Sequence, residues 1–255
     1  MSRCQVTLSV NAGAVLRFGR TRLWVDALHN HQVPGFSTVT PDRWAAISAH
    51  PDFAEPNLIF YTHCHPDHFS RPLTLQALRR WPYAEVILPD PVFEHQILLS
   101  RPREQMFLPN LSLRFARLPH EGAQYAHVAH YGCVLEHDGV RALLTGDCAV
   151  GAPELADFLA EVGHIDLALL DFPWVTLRKG RQFIEQYSRP EHLVICHLPF
   201  AEDDCYNYRP AVLRAAASGL RRDSRICLSV SSTRALSSRS IMWLSKILTS
   251  ACPAR

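Results

Sequence analysis

The 255-residue sequence predicts an α/β fold with strands enough for two sheets. Three observations carry this. Short apolar runs lead the chain before any helix signal appears. Strands and helices then alternate. Six of the apolar runs are each followed at the carboxyl end by a histidine or an aspartate.

Gln5 to Val10, Ala14 to Phe18 and Thr21 to Val25 read as a β-meander, turned at Asn11 and Gly13 and again at Gly19-Arg20. A helix is expected after Pro41, over Trp44 to Ser48. "NLIFY" is continuously apolar, as a strand buried on both faces would be. "PLTLQALRRW" reads as a helix, "AEVILP" as a strand and "PVFEHQILL" as a further helix. "LSLRFARL" alternates like a half-buried strand. "YGCVLEHDGVRALLTGD" reads as two strands joined at His137-Asp138-Gly139. "PELADFLAEV" and "RKGRQFIEQY" are expected helices, and "IDLALL" and "EHLVIC" expected strands. Pro210 to Gly219 should be helical, and "RICLSV" a last strand. Residues 1–231 are expected to form one domain. Residues 232–255 read as a C-terminal tail, in which "SIMWLSKIL" suits a short amphipathic helix.

The charge is nearly balanced, 26 basic against 24 acidic residues, which gives no electrostatic reason to expect nucleic acid or a membrane surface as partner. Eight cysteines are spread without a CxxC pair, and the first residues lack a long apolar segment. Reduced thiols and a cytoplasmic location are therefore expected. No stretch reaches the length of a membrane helix.

The chemistry concentrates in "LIFYTHCHPDHFS", where His63, His65, Asp67 and His68 follow an apolar strand. In a chain with 14 histidines, H-x-H-x-D-H arises by chance on the order of 0.002 times. His63 and His65, two apart, point the same way from a strand end. Pro66 breaks the strand and turns Asp67 and His68 toward a neighbouring position. Two ligands can thus serve one metal and two another. Imidazoles with carboxylates suit Zn²⁺, with Mn or Fe as substitutes. Asp26, His120, Asp147, Asp171 and His197 end other apolar strands. If those ends share one edge, the side chains converge in one cleft, and Asp147 could bridge both metals.

The set Asp26, His63-x-His65-x-Asp67-His68, His120, Gly146-Asp147 and His197 resembles the metallo-β-lactamase superfamily in content and order, over roughly Val6 to Val230. The resemblance implies a four-layer αββα sandwich with metals at one sheet edge. It implies His63, His65 and His120 on metal one, Asp67, His68 and His197 on metal two, Asp147 bridging, and Asp26 holding a ligand by hydrogen bonds. Asp147 stands where the familiar lactamases use a cysteine, so antibiotic hydrolysis is not expected. The sequence looks nearer the RNase Z-like and L-ascorbate-6-phosphate lactonase-like branch. Cys64, Cys148 and Cys196, beside ligands, are expected to be packing residues.

For the third ligand, His120, His127 and His130 all fall between the right strands, and His120 is favoured because it directly ends a strand. His29, His31, His127, His130, Asp171, Phe172, Pro173, Trp174, Phe200, Tyr206 and Tyr208 are candidates for supporting a ligand or touching substrate. The expected activity is dinuclear hydrolysis of a small molecule. Hydroxide held between the ions attacks a phosphodiester or an ester or lactone, with Asp67, His68 and Asp147 in the catalytic set. The alternative is a protein of the same fold without hydrolysis, a di-iron redox protein or a ligand-binding regulator. A flavin domain, the usual partner of a redox member, is not evident.

Overall fold

The computed structural model describes residues 3–108, 110–219, 225–227 and 245–249. Two seven-stranded sheets are present among them. The first contains β1 (Arg3–Leu8), β2 (Ala14–Phe18), β3 (Thr21–Val25), β4 (Leu58–Phe60), β5 (Glu85–Leu88) and β6 (Ile97–Leu98) in that order, with a late strand outside β1. The second contains β7 (Arg103–Leu108), β8 (Leu111–Arg117), β9 (Tyr131–His137), β10 (Val140–Leu144), β11 (Leu167–Asp171), β12 (His192–Cys196) and β13 (Arg225–Cys227). The late strand is β14 (Ser245–Thr249), antiparallel to β1.

The inner faces of the sheets bury each other. Leu16, Leu23 and Phe60 from the first meet Leu113, Phe115, Leu135, Leu144 and Leu169 from the second, with Phe60 and Phe115 edge to face at 5.4 Å. Each strand alternates, so its outer side chains need a second cover. On the first sheet, Trp24, Ile59 and Tyr61 pack with Ile47 of α1 (Pro41–Ala49) and with Leu73 and Ala77 of α2 (Arg71–Arg80). On the second, Leu143, Leu170 and Ile195 pack with α3 (Pro153–Val162), α4 (Pro173–Thr176), α5 (Arg178–Phe183) and α6 (Tyr208–Gly219) through Phe158, Trp174, Phe183 and Val212. The layers are therefore α, β, β, α, as expected.

The helix starts follow local chemistry. Ser70 accepts from Leu73 N at the start of α2, and Thr40 accepts from Arg43 N at the start of α1. Each of these helices opens with proline or carries it in its first turn, where no intrahelical donor is lost.

Three local expectations change. The helix expected at "PVFEHQILL" is a loop ending in β6. Gln96 supplies the reason: its Oε1 accepts from Val92 N and Phe93 N while its Nε2 donates to Asp90 O, so the side chain satisfies a non-helical backbone. The strand β7 was not expected, because "REQMFL" opens with polar residues. The helix expected at "SIMWLSKIL" lies partly outside the described residues, and its described portion belongs to β14. There, backbone pairing with the open edge of β1 provides the hydrogen bonds that a helix would have made. No helix among the described residues is long and apolar enough to cross a membrane.

Candidate metal centre

The carboxyl ends of β3, β4, β8, β10, β11 and β12 deliver their polar residues to one edge of the sandwich. Tyr131 N donates to Thr62 O at 2.9 Å, tying β4 of one sheet to β9 of the other directly beneath the cluster. His197 N donates to Asn11 O, and Asn11 also holds Ser37 from both sides, so three loops are pinned together. Asp26 and His197 take left-handed backbone angles, φ 45° and 57°, in the turn just past their strands.

The histidine rings form a contiguous group. Centroids of His63 and His65 are 4.6 Å apart, and His120 lies 4.8 Å from His63 and 4.6 Å from His65. His63 and His68 are 4.1 Å apart, and His68 and His197 5.0 Å. Ligand atoms of His63, His65 and His120 lie within 4.8 Å of one another, and so do those of Asp67, His68 and His197. Asp147 joins the two groups: its Oδ1 is 3.2 Å from His68 Nε2 and 3.8 Å from His197 Nδ1, and its Oδ2 is 3.7 Å from His120 Nε2. His197 Nε2 is 3.4 Å from Asp67 Oδ2.

The hydrogen bonds behind these rings decide which nitrogen faces inward. Thr62 donates through N and Oγ1 to the two oxygens of Asp26, both at 2.8 Å. With its proton so used, Thr62 Oγ1 accepts from His63 Nδ1 at 2.9 Å. His68 Nδ1 donates to Asp26 Oδ2 at 3.1 Å, and His120 Nδ1 to Glu121 O at 2.8 Å. Each ring thereby carries its proton on Nδ1 or shares it there. Nε2 of His63, His68, His120 and His197 is buried and makes no hydrogen bond, and neither does Asp147 Oδ1. Buried polar atoms without partners, converging from five residues, are what a cation would satisfy. The clusters are thus able to bind metal ions.

The electrostatics match this. Burial drives His63 well below the ordinary imidazole value, with His68 adding to the effect, so its lone pair stays available. Burial opposes charge on His68, yet Asp147 and Asp26 outweigh it and hold its pKa well above the ordinary value. Burial would also raise Asp67 and Asp147, but His197 and His68 keep both carboxylates low. In Asp171, burial and the nearby Asp147 push the carboxyl well above the usual range. His68 lies between the carboxylates of Asp26 and Asp147, 3.1 and 3.2 Å away, which together favour its charged form.

Other candidate residues fall into three groups. His29 and His130 are fully buried next to the cluster; His29 Nε2 faces Val10 O, and His130 Nδ1 donates to Leu118 O. Burial lowers them to about 4 and about 3. Asp171 is buried with ligand atoms within 4.8 Å of Asp147 and His197. His127 and His31 are exposed. Of the three histidines weighed for the third position, only His120 shares a ligand group with His63 and His65. Trp174, one of the candidates for substrate contact, is fully buried in the outer core and serves packing. Cys148 is buried in the outer layer of the second sheet, whereas Cys196, on the opposite face of β12 from Ile195, is buried beneath the cluster with Asp26 and Asp171 and donates to Leu170 O. Cys4, Cys64, Cys133, Cys148, Cys196 and Cys205 are free thiols.

Two residues at the mouth escaped the sequence reading. Phe36 stacks on His197 at 4.6 Å, and Tyr125 packs against His65 at 4.9 Å and His120 at 4.8 Å. Phe36 follows Pro34-Gly35, and Tyr125 lies five residues past His120. Neither spacing forms a motif.

No family model matches the sequence, and no curated protein matches it. Solved structures do match in fold. YhfI of Bacillus subtilis, a metallo-β-lactamase fold protein, is 12% identical, with 90% of this chain and 98% of that one covered and a TM-score of 0.60. Igni18 of Ignicoccus hospitalis, described as a metallo hydrolase, is 16% identical, with 86% and 94% covered and a TM-score of 0.56. CmlA of Streptomyces venezuelae, a diiron β-hydroxylase, is 13% identical with a TM-score of 0.58; 85% of this chain is covered but only 52% of CmlA. The chain has the metallo-β-lactamase fold.

Proposed function

We propose that this metallo-β-lactamase-fold chain is a dinuclear metal-dependent hydrolase acting on a small molecule. The single observation behind it is the set of unpartnered Nε2 atoms around Asp147. His63, His65 and His120 would hold one ion, Asp67, His68 and His197 the other, and Asp147 both. All are nitrogen and carboxylate donors, which suits zinc, with manganese or iron as substitutes.

When bound, such ions lower the pKa of water and polarise a carbonyl or phosphoryl group. The chain's own residues do the rest. Asp26 orients His68 directly and His63 through Thr62, which fixes Nε2 as the ligand atom on each. Asp67, whose Oδ2 is 3.4 Å from His197 Nε2, would bind one ion and orient the attacking water. An ester, lactone or phosphodiester fits this reading, and a carboxylate at position 147 where familiar lactamases use cysteine supports the RNase Z-like and lactonase-like branch. The free cysteines support a reducing cytoplasm.

The test is metal-loaded protein assayed on bis-p-nitrophenyl phosphate, lactones and thioesters, beside Asp67→Ala with metal content measured. Full activity in that variant overturns the site. The likeness to CmlA favours a second reading, oxidation at a di-iron centre. Two irons per chain with no hydrolysis would establish it instead.

A further inference from the structure

The mouth of the site differs in character from its floor. Six loops surround the cluster: 26–40, 61–70, 118–130, 145–152, 171–177 and 197–207. None contains a lysine or an arginine, while together they hold eight Asp or Glu residues. The cations nearest in sequence, Arg71, Arg117 and Arg178, stand just outside these loops on α2, β8 and α5, with Arg71 over the Phe93 ring. Arg43 binds Thr38 O, Glu202 and Asp203 and lies over the Phe200 ring, and Arg209 is buried against Pro199 O.

Aromatic rings stand on both sides. Tyr125, 38% exposed, covers the His65 and His120 side. Phe36 covers His197, Phe172 and Tyr208 stack at 4.4 Å behind it, and Tyr206, 57% exposed, extends the wall outward. A phosphorylated or carboxylated substrate would need cationic or forked donors beyond the ions to hold its remaining charge. Between their ends these loops offer ring faces instead, their acidic residues being taken up by the cluster, by Arg43 and by backbone N–H groups. Ring faces bind flat apolar groups through area and stacking.

The geometry points to an uncharged carboxylic ester, lactones included, with an apolar or aromatic group beside the scissile carbonyl, and to Tyr125 as a residue that determines this specificity. This rests on the hydrolase reading above. Water's oxygen bonds to the carbonyl carbon, the carbon–oxygen bond to the alkoxy group breaks, and the alkoxy oxygen takes a proton. The products are an alcohol and a carboxylate, with one proton released.

Metal-loaded full-length protein would be assayed with three substrates sharing a leaving group: p-nitrophenyl phenylacetate, the anionic p-nitrophenyl hemisuccinate and bis-p-nitrophenyl phosphate. The neutral aryl ester is expected to exceed the hemisuccinate in kcat/KM by about tenfold or more, the effect of one favourable ring contact and an absent counter-charge. Tyr125→Ala should raise KM for the neutral ester about tenfold while kcat falls by less than about twofold, and Tyr125→Phe should restore KM. Metal content should stay the same in both variants, which separates a substrate contact from damage to the site. A higher kcat/KM for either anionic substrate, or an unchanged KM in Tyr125→Ala, overturns the ester assignment and leaves the hydrolase intact. No turnover of any substrate by fully metal-loaded protein overturns the hydrolase reading as well.

Discussion

Asp26 Oδ2 receives a hydrogen bond from His68 Nδ1 at 3.1 Å, deep beneath the cluster. The same carboxylate binds Thr62 through both its oxygens, and Thr62 in turn fixes His63. One buried aspartate therefore orients a ligand of each proposed ion. Asp26→Ala should weaken metal binding by about 10–100-fold, the usual cost of losing such support. Titration calorimetry on stripped protein measures this. Unchanged affinity at both positions would show that the rings hold their orientation without Asp26.

Gly146 turns the chain just before Asp147, at φ 52°, in the left-handed region. A Cβ there would meet Thr62 Oγ1 at 2.6 Å and His130 Nε2 at 2.9 Å. Gly146→Ala should displace Asp147 and lower the bound metal from two ions per chain to one or fewer. Metal analysis of the purified variant, with circular dichroism to verify the fold, decides it.

Phe115 lies fully buried between the sheets against Phe60. Phe115→Ala should destabilise the protein by about 3–5 kcal/mol, because the sheets cannot close over the lost ring. Denaturant unfolding of the metal-stripped protein gives the value. A loss under about 1 kcal/mol would mean that the inter-sheet layer repacks freely.

His29 and His130 are held neutral by burial, at about 4 and about 3 against 6.5 in the unfolded chain. Between those values the unfolded state binds more protons, so stability is full above about 6.5 and falls as the pH drops toward the folded values. Each residue contributes about 1.4 kcal/mol per pH unit inside its window. His130→Asn, which keeps a donor for Leu118 O, should reduce that slope by one residue's share. Urea titrations from pH 7 to 4.5 in the presence of chelator test this. An unaltered slope would place the acid sensitivity elsewhere.

Much of this was readable in the chain. Strand periodicity gave the two sheets because alternation reports which face is buried, and the strand-end His and Asp residues are close in sequence to the apolar runs that carry them. "PVFEHQILL" failed because one glutamine side chain competes with the helix, which a hydrophobic pattern does not encode. The part of "SIMWLSKIL" that became β14 failed for a different reason: its partner is an edge strand over 230 residues away.

The sequence by itself determined the donor chemistry and its order along the chain, since His63-x-His65-x-Asp67-His68 is local and its geometry follows from a strand end and a proline. It also left the surrounding loops without lysine or arginine. Only the tertiary structure decided that His120, and neither His127 nor His130, shares a group with His63 and His65. It alone made Asp26 the common anchor of two rings, and it alone brought Phe36 and Tyr125 to the mouth. Those relations depend on how two sheets stack and where their loops meet. Such contacts join residues far apart in sequence, and no spacing along the chain records them.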